Sequence, residues 1–325
     1  MVLGATLLLA ALLAGQSSGR IAAALPQLER AYQAQPSHHA TAWNLALAYL
    51  QTGRLADARR VADASLAGAS ARGEQAEWQS LLATVDDRSG DPAGAARRHQ
   101  RAAELDPSEK HLLEFGNHLT KYNATKAALE LYAHAVQRYP RSASLRVGWG
   151  LALHAASRHD EAVAALCQAV DLDPADSRAI YFLGQLHDVA PALGAEVSRR
   201  LEGFVARYPK NASAHHFFAL SLLNRDPPEE KRAAGHLLTA AQLAPENPKT
   251  WLALGNLHER ASRDGAAEAA WRKVTTLDPE SEQAHYRLAG LYQRTGRTAL
   301  AKQELALYQQ LHQRHPQRES VLDVK

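Results

Sequence analysis

The sequence predicts an all-α fold made of about eight tandem helical pairs. A short segment ending in proline recurs every 33 to 36 residues between Pro107 and Pro279, which is the spacing of a helical repeat. Within each interval the apolar residues recur three and four positions apart in two blocks, as in two amphipathic helices. Alanine and leucine dominate these blocks and β-branched residues are sparse, so the composition favours helix over strand.

Each pair carries signals for where its helices end. The second helix is expected to stop at the proline, which has no amide hydrogen and pushes the preceding residue out of the helical region. A glycine, asparagine or serine separates the two apolar blocks and marks a short turn. Residues 188–191 and 224–232 replace or lengthen that turn in the fifth and sixth pairs, as tolerated loop insertions or, alternatively, as contact or hinge loops. The proline-ended segments are residues 105–107, 138–140, 172–174, 207–209, 243–245 and 277–279.

The seventh pair carries the clearest internal pattern. In order, its marker residues are Trp251, Leu254, Gly255, His258, Ala267, Trp271 and Pro279. This pattern resembles the tetratricopeptide repeat signature W-x2-L-G-x2-Y, A-x3-F, P, with a histidine in place of the tyrosine and a tryptophan in place of the phenylalanine. The other pairs carry parts of it in the same phase, so the resemblance extends over residues 37–313.

The resemblance implies a right-handed superhelical αα solenoid, in which each pair buries its apolar face against its neighbours. Residues 1–19 are expected to be a signal peptide or the first helix of an N-terminal half repeat, 20–36 a capping helix, and 317–325 a flexible tail. The eight repeats, within residues 37–316, are expected at 37–70, 71–107, 108–140, 141–174, 175–209, 210–245, 246–279 and 280–313.

The N-terminal segment bears on localisation. Residues 2–14 form an uncharged apolar run followed by small and polar residues, which is long enough for a signal-peptide core and too short to span a bilayer. No lysine or arginine precedes the run, and a buried first helix is the alternative. We therefore expect an exported protein, in a bacterial periplasm, with a cytoplasmic location as the alternative and no other membrane span.

In this family the first helix of each pair lines a concave groove, and the resemblance implies that its non-core side contacts a protein or peptide partner. The strip mixes aromatic anchors with amide and cationic groups, as peptide grooves do. Asn117 and Asn256 are each followed four residues later by a cation, Lys121 and Arg260. These two sets resemble fragments of a carboxylate clamp, and they lie four repeats apart. The expected contact residues are Trp43, Leu113, Asn117, Lys121, Tyr181, Gln185, His216, Asn256, Arg260, Tyr286 and Arg294.

No catalytic or cofactor motif stands out. The 16 histidines include His38-His39, His215-His216 and His312 with His315, but adjacent residues on a helix point to different faces and no zinc-ligand spacing accompanies them. Lysine plus arginine number 37 against 34 acidic residues, a net charge of +3, too small to drive nucleic-acid binding. The single cysteine, Cys167, is expected to be a small buried residue.

These observations favour a non-catalytic scaffold or adaptor that binds a protein or peptide, without cofactor or metal, in the assembly of an envelope complex. The alternative is a self-associating structural or sensor module, in which another copy or the tail of the chain fills the groove. The identity of the partner does not follow from the fold.

Overall fold

The fold is all-α and repetitive, as the sequence predicts. The computed structural model describes residues 18–314, which contain helices, one 3-10 turn and no strand. The expected tail and the first seventeen residues of the expected signal peptide lie outside these described residues. The chain divides into two compact units between Arg158 and His159, which separates the two helices of the fourth repeat.

The N-terminal unit consists of one leading helix, three helical pairs and the first helix of the fourth. Its helices are α1 (Ser18–Ala34), α2 (His39–Gln51), α3 (Leu55–Gly68), α4 (Arg72–Arg88), α5 (Pro92–Leu105), α6 (Glu109–Lys121), α7 (Thr125–Arg138) and α8 (Ala143–Ala155). Sequential helices pack on each other, and α6 also contacts α8, so first helices lie side by side.

The C-terminal unit begins with the second helix of the fourth repeat and continues with four further pairs. Its helices are α9 (His159–Leu172), α10 (Ser177–Gln185), α11 (Gly194–Arg207), α12 (Ala212–Leu223), α13 (Glu230–Leu243), α14 (Pro248–Arg260), α15 (Asp264–Leu277), α16 (Glu282–Arg294) and α17 (Thr298–Arg314), with a 3-10 turn at Pro191–Leu193. In the fifth repeat this turn stands where the usual short connection would be.

The turn inside most pairs depends on one residue with a left-handed backbone. This residue lies two positions after the end of the first helix and has a φ between 55° and 83°. Glycine adopts this conformation without penalty, whereas asparagine and serine do so at a modest cost. The predicted glycine, asparagine or serine between the helices is therefore a conformational requirement. The residues are Gly53, Gly90, Asn123, Ser157, Ser262 and Gly296.

Close helix contact depends on glycines facing large aromatic rings. A Cβ on Gly116 would lie 2.4 Å from Cζ of Tyr132, and one on Gly148 would lie 2.4 Å from its hydroxyl. In the seventh repeat a Cβ on Gly255 would lie 2.3 Å from Nε1 of Trp271. Both rings are fully buried, so each fills a slot that the missing side chains leave open.

Candidate partner-binding surface

The predicted contact residues lie on the first helices, and most keep solvent-accessible side chains. Five of them occupy the fifth position of their helix: Trp43 of α2, Leu113 of α6, Tyr181 of α10, His216 of α12 and Tyr286 of α16. Tyr181 and Tyr286 are 43% and 44% exposed. Tyrosine and tryptophan are enriched among the residues that contribute most to the binding energy of protein interfaces. We refer to the eleven predicted residues as the first-helix strip.

Trp43 anchors an aromatic cluster in the N-terminal unit. Its ring is half-buried, stacked on His39 at 5.9 Å and packed against the edge of Trp78 at 5.0 Å between centroids. The ammonium group of Lys110 lies 5.8 Å from the ring of Trp43, within range of a cation–π interaction. Leu113 is half-buried against the core around Tyr132. Both side chains therefore present only part of their surface.

The two asparagines of the strip have a structural partner that the sequence did not reveal. Oδ1 of Asn117 accepts a hydrogen bond from the hydroxyl of Tyr132 at 2.8 Å, and Oδ1 of Asn256 accepts one from Nε1 of Trp271 at 3.2 Å. An indole nitrogen can only donate, so the Asn256 side-chain oxygen faces the ring. The amide NH2 group of Asn256 then remains as a donor.

Lys121 is tied to the preceding repeat through Asp87. Its ammonium group lies 2.5 Å from Oδ2 of Asp87, and Oδ1 of the same carboxylate accepts a hydrogen bond from the hydroxyl of Tyr122. Burial raises the pKa of Asp87, but these two hydrogen bonds outweigh burial and the pKa is lowered overall. The hydrogen bond to Asp87 raises the pKa of Lys121. A partner carboxylate would therefore compete with Asp87 for Lys121.

The two cations of the strip in the C-terminal unit are also paired with neighbouring repeats. Nε of Arg260 lies 3.8 Å from Glu230, and Arg294 lies 3.0 Å from Glu259 and 3.6 Å from Asp264. Both guanidinium groups are half exposed. Exposed ion pairs of this kind contribute little to stability, so they can exchange partners at little cost.

His216 is an exception to the predicted strip, because its side chain is buried. It is 6% exposed, and its Nδ1 lies 3.3 Å from the hydroxyl of Thr250 on α14. Burial, together with the positive charges of His187 and Lys249, lowers the pKa of His216 to about 4. The ring is therefore neutral at pH 7 and packs between first helices instead of facing a partner.

Tyr181 borders a groove between α10 and α12. The groove has a volume of about 350 Å³ and is lined by Tyr181, Ile180, Phe217 and Arg178 among others. The rings of Tyr181 and Phe217 meet edge to face at 5.6 Å. Phe217, which follows the predicted His216 and was not predicted as a contact residue, lines the groove although it is as buried as His216, at 6% exposure. Gln185 is exposed, one turn beyond Tyr181 on the same helix.

Tyr286 and Arg294 are brought together at a second groove. This groove has a volume of about 480 Å³ and lies along α16 and α17. Two members of the strip therefore line this groove, whereas Tyr181 is the one member that lines the groove between α10 and α12 among residues 18–314. Each groove lies within the C-terminal unit, and each offers an aromatic wall beside a guanidinium group.

Residues 18–314 contain neither a metal-binding cluster nor a membrane-spanning helix. Within residues 18–314 no group of three or more His, Cys, Asp or Glu side chains is placed to hold a metal ion. None of the helices in that range combines the length and apolarity needed to cross a membrane. The pair His215 and His236 is instead explained by packing, with their Nδ1 atoms 2.9 Å apart and Nε2 of His215 bound to the carbonyl of Pro209 at 3.0 Å.

Comparisons with known proteins point to one family. Two models of the tetratricopeptide repeat match residues 16–85, and residues 113–177 and 147–197. A curated protein of Arabidopsis thaliana, named inactive TPR repeat-containing thioredoxin TTL3, is 34% identical over 126 residues. That match covers 38% of this chain and 18% of the plant protein, so the chain spans about a fifth of the length of that relative.

Solved structures share the fold at low sequence identity. The C-terminal part of a TPR repeat-containing protein from Cytophaga hutchinsonii matches with a TM-score of 0.56 at 14% identity, covering 75% of this chain and 98% of that chain. Pseudomonas aeruginosa pilF matches with a TM-score of 0.51 at 21% identity, covering 66% and 97%. These structures show the shared fold, and the tetratricopeptide repeat models that match residues 16–85, 113–177 and 147–197 show that the chain belongs to the tetratricopeptide repeat proteins.

Proposed function

We propose that this protein is a non-catalytic interaction scaffold that binds a peptide segment of another protein through the members of the first-helix strip that lie in the C-terminal unit. The family supports a protein partner in general terms, and the strip supplies the chemistry of recognition. The observation that carries the proposal is the pair Tyr181 and Tyr286, which occupy equivalent positions and leave over two fifths of each side chain in water.

The exposure of these rings has a cost that binding would recover. An exposed apolar ring gains about 25 cal/mol for each Å² that a partner covers, and tyrosine adds a hydroxyl for orientation. Each ring lies beside a groove of 350 to 480 Å³ with a guanidinium group at its border. Such a groove accommodates one apolar side chain of an extended or helical peptide next to a carbonyl or carboxylate group.

Asn256 supplies a donor for the backbone of such a peptide. Because its oxygen is bound to Trp271, the free NH2 group has a fixed direction and needs little ordering when a carbonyl arrives. A fixed donor loses less conformational entropy on binding than a mobile one. The buried ring of Trp271 on the second helix thereby orients the NH2 group of Asn256 on the first helix for a hydrogen bond to the peptide.

Site-specific crosslinking tests the proposal in cells. Benzoylphenylalanine would replace Tyr181 or Tyr286 in the full chain, with Leu238 as the matched control because it is 50% exposed but lies on the second helix α13. We expect discrete adducts with one protein from positions 181 and 286 and none from position 238. Adducts of equal yield and identity at all three positions would exclude binding at the strip.

We also propose export, with a role in envelope-complex assembly. This part rests on the apolar run at residues 2–14 and is independent of the strip. Fractionation of a bacterial host that expresses the full chain with a C-terminal tag would locate the protein, and N-terminal sequencing would show whether the run is removed. A full-length protein found only in the cytosol would remove the envelope role and leave the scaffold.

A further inference from the structure

The last helical pair has an uncovered face that the preceding pairs bury. Leu305 is the eighth residue of α17 and is 42% exposed. The eighth residues of four preceding second helices are all fully buried, at 0% exposure. They are Tyr132 of α7, Leu201 of α11, Leu237 of α13 and Trp271 of α15.

The cover at the equivalent place in the seventh repeat is the first helix of the next repeat. Trp271 and Ala267 of α15 form one apolar cluster with Leu288, Leu291 and Tyr292 of α16. At the matching position of α17, Leu305 is 42% exposed, so residues 18–314 do not cover it in the same way. The uncovered position is therefore the place where a helix docks elsewhere in this chain.

This face forms a groove of suitable shape for a helix. Its volume is about 480 Å³, and small or apolar side chains line its floor, namely Ala289, Gly290, Ala301 and Leu305. Small residues let a second helix approach to about 8–10 Å between axes. We refer to this site between α16 and α17 as the end groove.

The charge around the end groove selects its occupant. Arg287, Arg294 and Lys302 border it with a single carboxylate, Glu259. Glu259 binds both arginines, at 3.1 and 3.0 Å, and Arg294 also lies 3.6 Å from Asp264. Lys302 has no hydrogen bond or ion pair to any residue of the 18–314 range. The positive charge of Lys302 therefore favours an acidic helix, and it disfavours a second copy docked face to face, whose own cations would meet these.

We propose that the end groove binds an acidic amphipathic helix of a partner protein, with its apolar stripe over Ala301 and Leu305 and its carboxylates toward Arg294 and Lys302. This proposal rests on the proposed function, because the end groove is the groove beside Tyr286 and Arg294, and it names an acidic helix as the occupant there. Its failure is distinguishable from failure of the proposed function, because Tyr181 tests the strip at a separate groove between α10 and α12.

The chain itself provides a probe of the right kind. Helix α4, Arg72–Arg88, packs on the preceding second helix α3 and carries Glu74, Glu77, Asp86 and Asp87. A fluorescein-labelled synthetic peptide of residues 72–88 would be titrated with the full chain, and anisotropy would report binding. A second peptide with lysine at these four acidic positions is the charge control.

Two leucines of equal exposure give the decisive comparison. Leu300 is 41% exposed on the same helix but does not line the end groove. We expect Leu305→Glu to weaken binding of the 72–88 peptide at least about tenfold, because a charge would be buried against its apolar stripe. Leu300→Glu should leave the affinity within about twofold, and circular dichroism would verify that both variants stay helical. Lys302→Glu and 0.5 M salt should each weaken binding severalfold.

Several results would overturn this assignment. Equal effects of the two leucine variants, equal affinity for the lysine-containing peptide, or no saturable binding below about 1 mM would each exclude an acidic helix in the end groove. A dimer in sedimentation that only Leu305→Glu dissociates would identify a second copy as the occupant. A tenfold gain in peptide affinity on removal of residues 315–325 would identify the end of the chain itself.

Discussion

Asn256 accepts a hydrogen bond from the indole of Trp271, fifteen residues later on the second helix of the same pair, with 3.2 Å between Oδ1 and Nε1. Asn117 and Tyr132 form the equivalent contact in the N-terminal unit at 2.8 Å. Each aromatic ring is fully buried, and its polar atom needs an acceptor there. These asparagines therefore stabilise their own repeats, whatever a partner requires of them.

The pair Asn117 and Tyr132 permits a clean double-mutant cycle, because Tyr132→Phe removes only the hydroxyl. We expect Asn117→Ala to lower the free energy of unfolding by about 1–2 kcal/mol, since it leaves the buried hydroxyl without an acceptor. Tyr132→Phe should cost about 1 kcal/mol. The loss of unfolding free energy in the double variant, measured by urea unfolding, should be smaller than the sum of the two single losses. Fully additive losses would show that the hydrogen bond does not contribute.

Two glycines of the C-terminal unit should respond in opposite directions to alanine. Gly255→Ala places a Cβ 2.3 Å from Nε1 of Trp271, and relief of this clash should cost about 1–3 kcal/mol. Gly235→Ala meets nothing within 4 Å on the exposed side of α13, and it should stabilise by about 0.5–1 kcal/mol through helix propensity. Thermal unfolding measures both, and destabilisation by Gly235→Ala would contradict the helix assignment there.

Buried histidines should make the fold sensitive to acid. Burial lowers the pKa of His216 to about 4 from the ordinary 6.5, and burial together with the charge of His118 does the same for His99 in the N-terminal unit. Between pH 4 and pH 6.5, each of these histidines binds a proton in the unfolded chain but not in the folded chain. The free energy of unfolding therefore falls as pH decreases from about 6.5 to 4, by at most about 1.4 kcal/mol per pH unit for each histidine.

The variant His216→Gln separates this effect from general acid denaturation. It lacks the titrating ring, so its melting temperature should fall less steeply than that of the unmodified chain over pH 6.5–4.5, even if it is less stable throughout. Melting curves followed by circular dichroism supply the two slopes. Identical slopes would mean that His216 is protonated in the folded state.

Cys167 should be unreactive in the folded protein. Its side chain is buried, 2% exposed, and burial raises the pKa of the thiol to about 11. Because the thiolate is the reacting species, labelling by a thiol reagent at pH 8 should be at least about a hundredfold slower than for the chain unfolded in guanidinium chloride. Rapid stoichiometric labelling under native conditions would show that α9 opens readily.

The sequence by itself determined the repeat and its register. Proline at the end of the second helix and a residue able to adopt a left-handed backbone between the helices are local requirements, so they can be recognised without knowledge of the neighbours. Three-and-four spacing then assigns residues to helix faces. The all-α fold and the tetratricopeptide family, both predicted in this way, are confirmed.

Only the tertiary structure decided which face of a first helix remains in water. Tyr181, His216 and Tyr286 share one position in the repeat, yet His216 is buried against Thr250 while both tyrosines are exposed. Likewise Leu305 and Trp271 share one position, yet Trp271 is buried against α16 while Leu305 is 42% exposed. The repeat period determines the direction of a side chain within its own helical pair. The exposure of that side chain depends on the size and placement of side chains from the adjacent repeat, and no local sequence pattern specifies these.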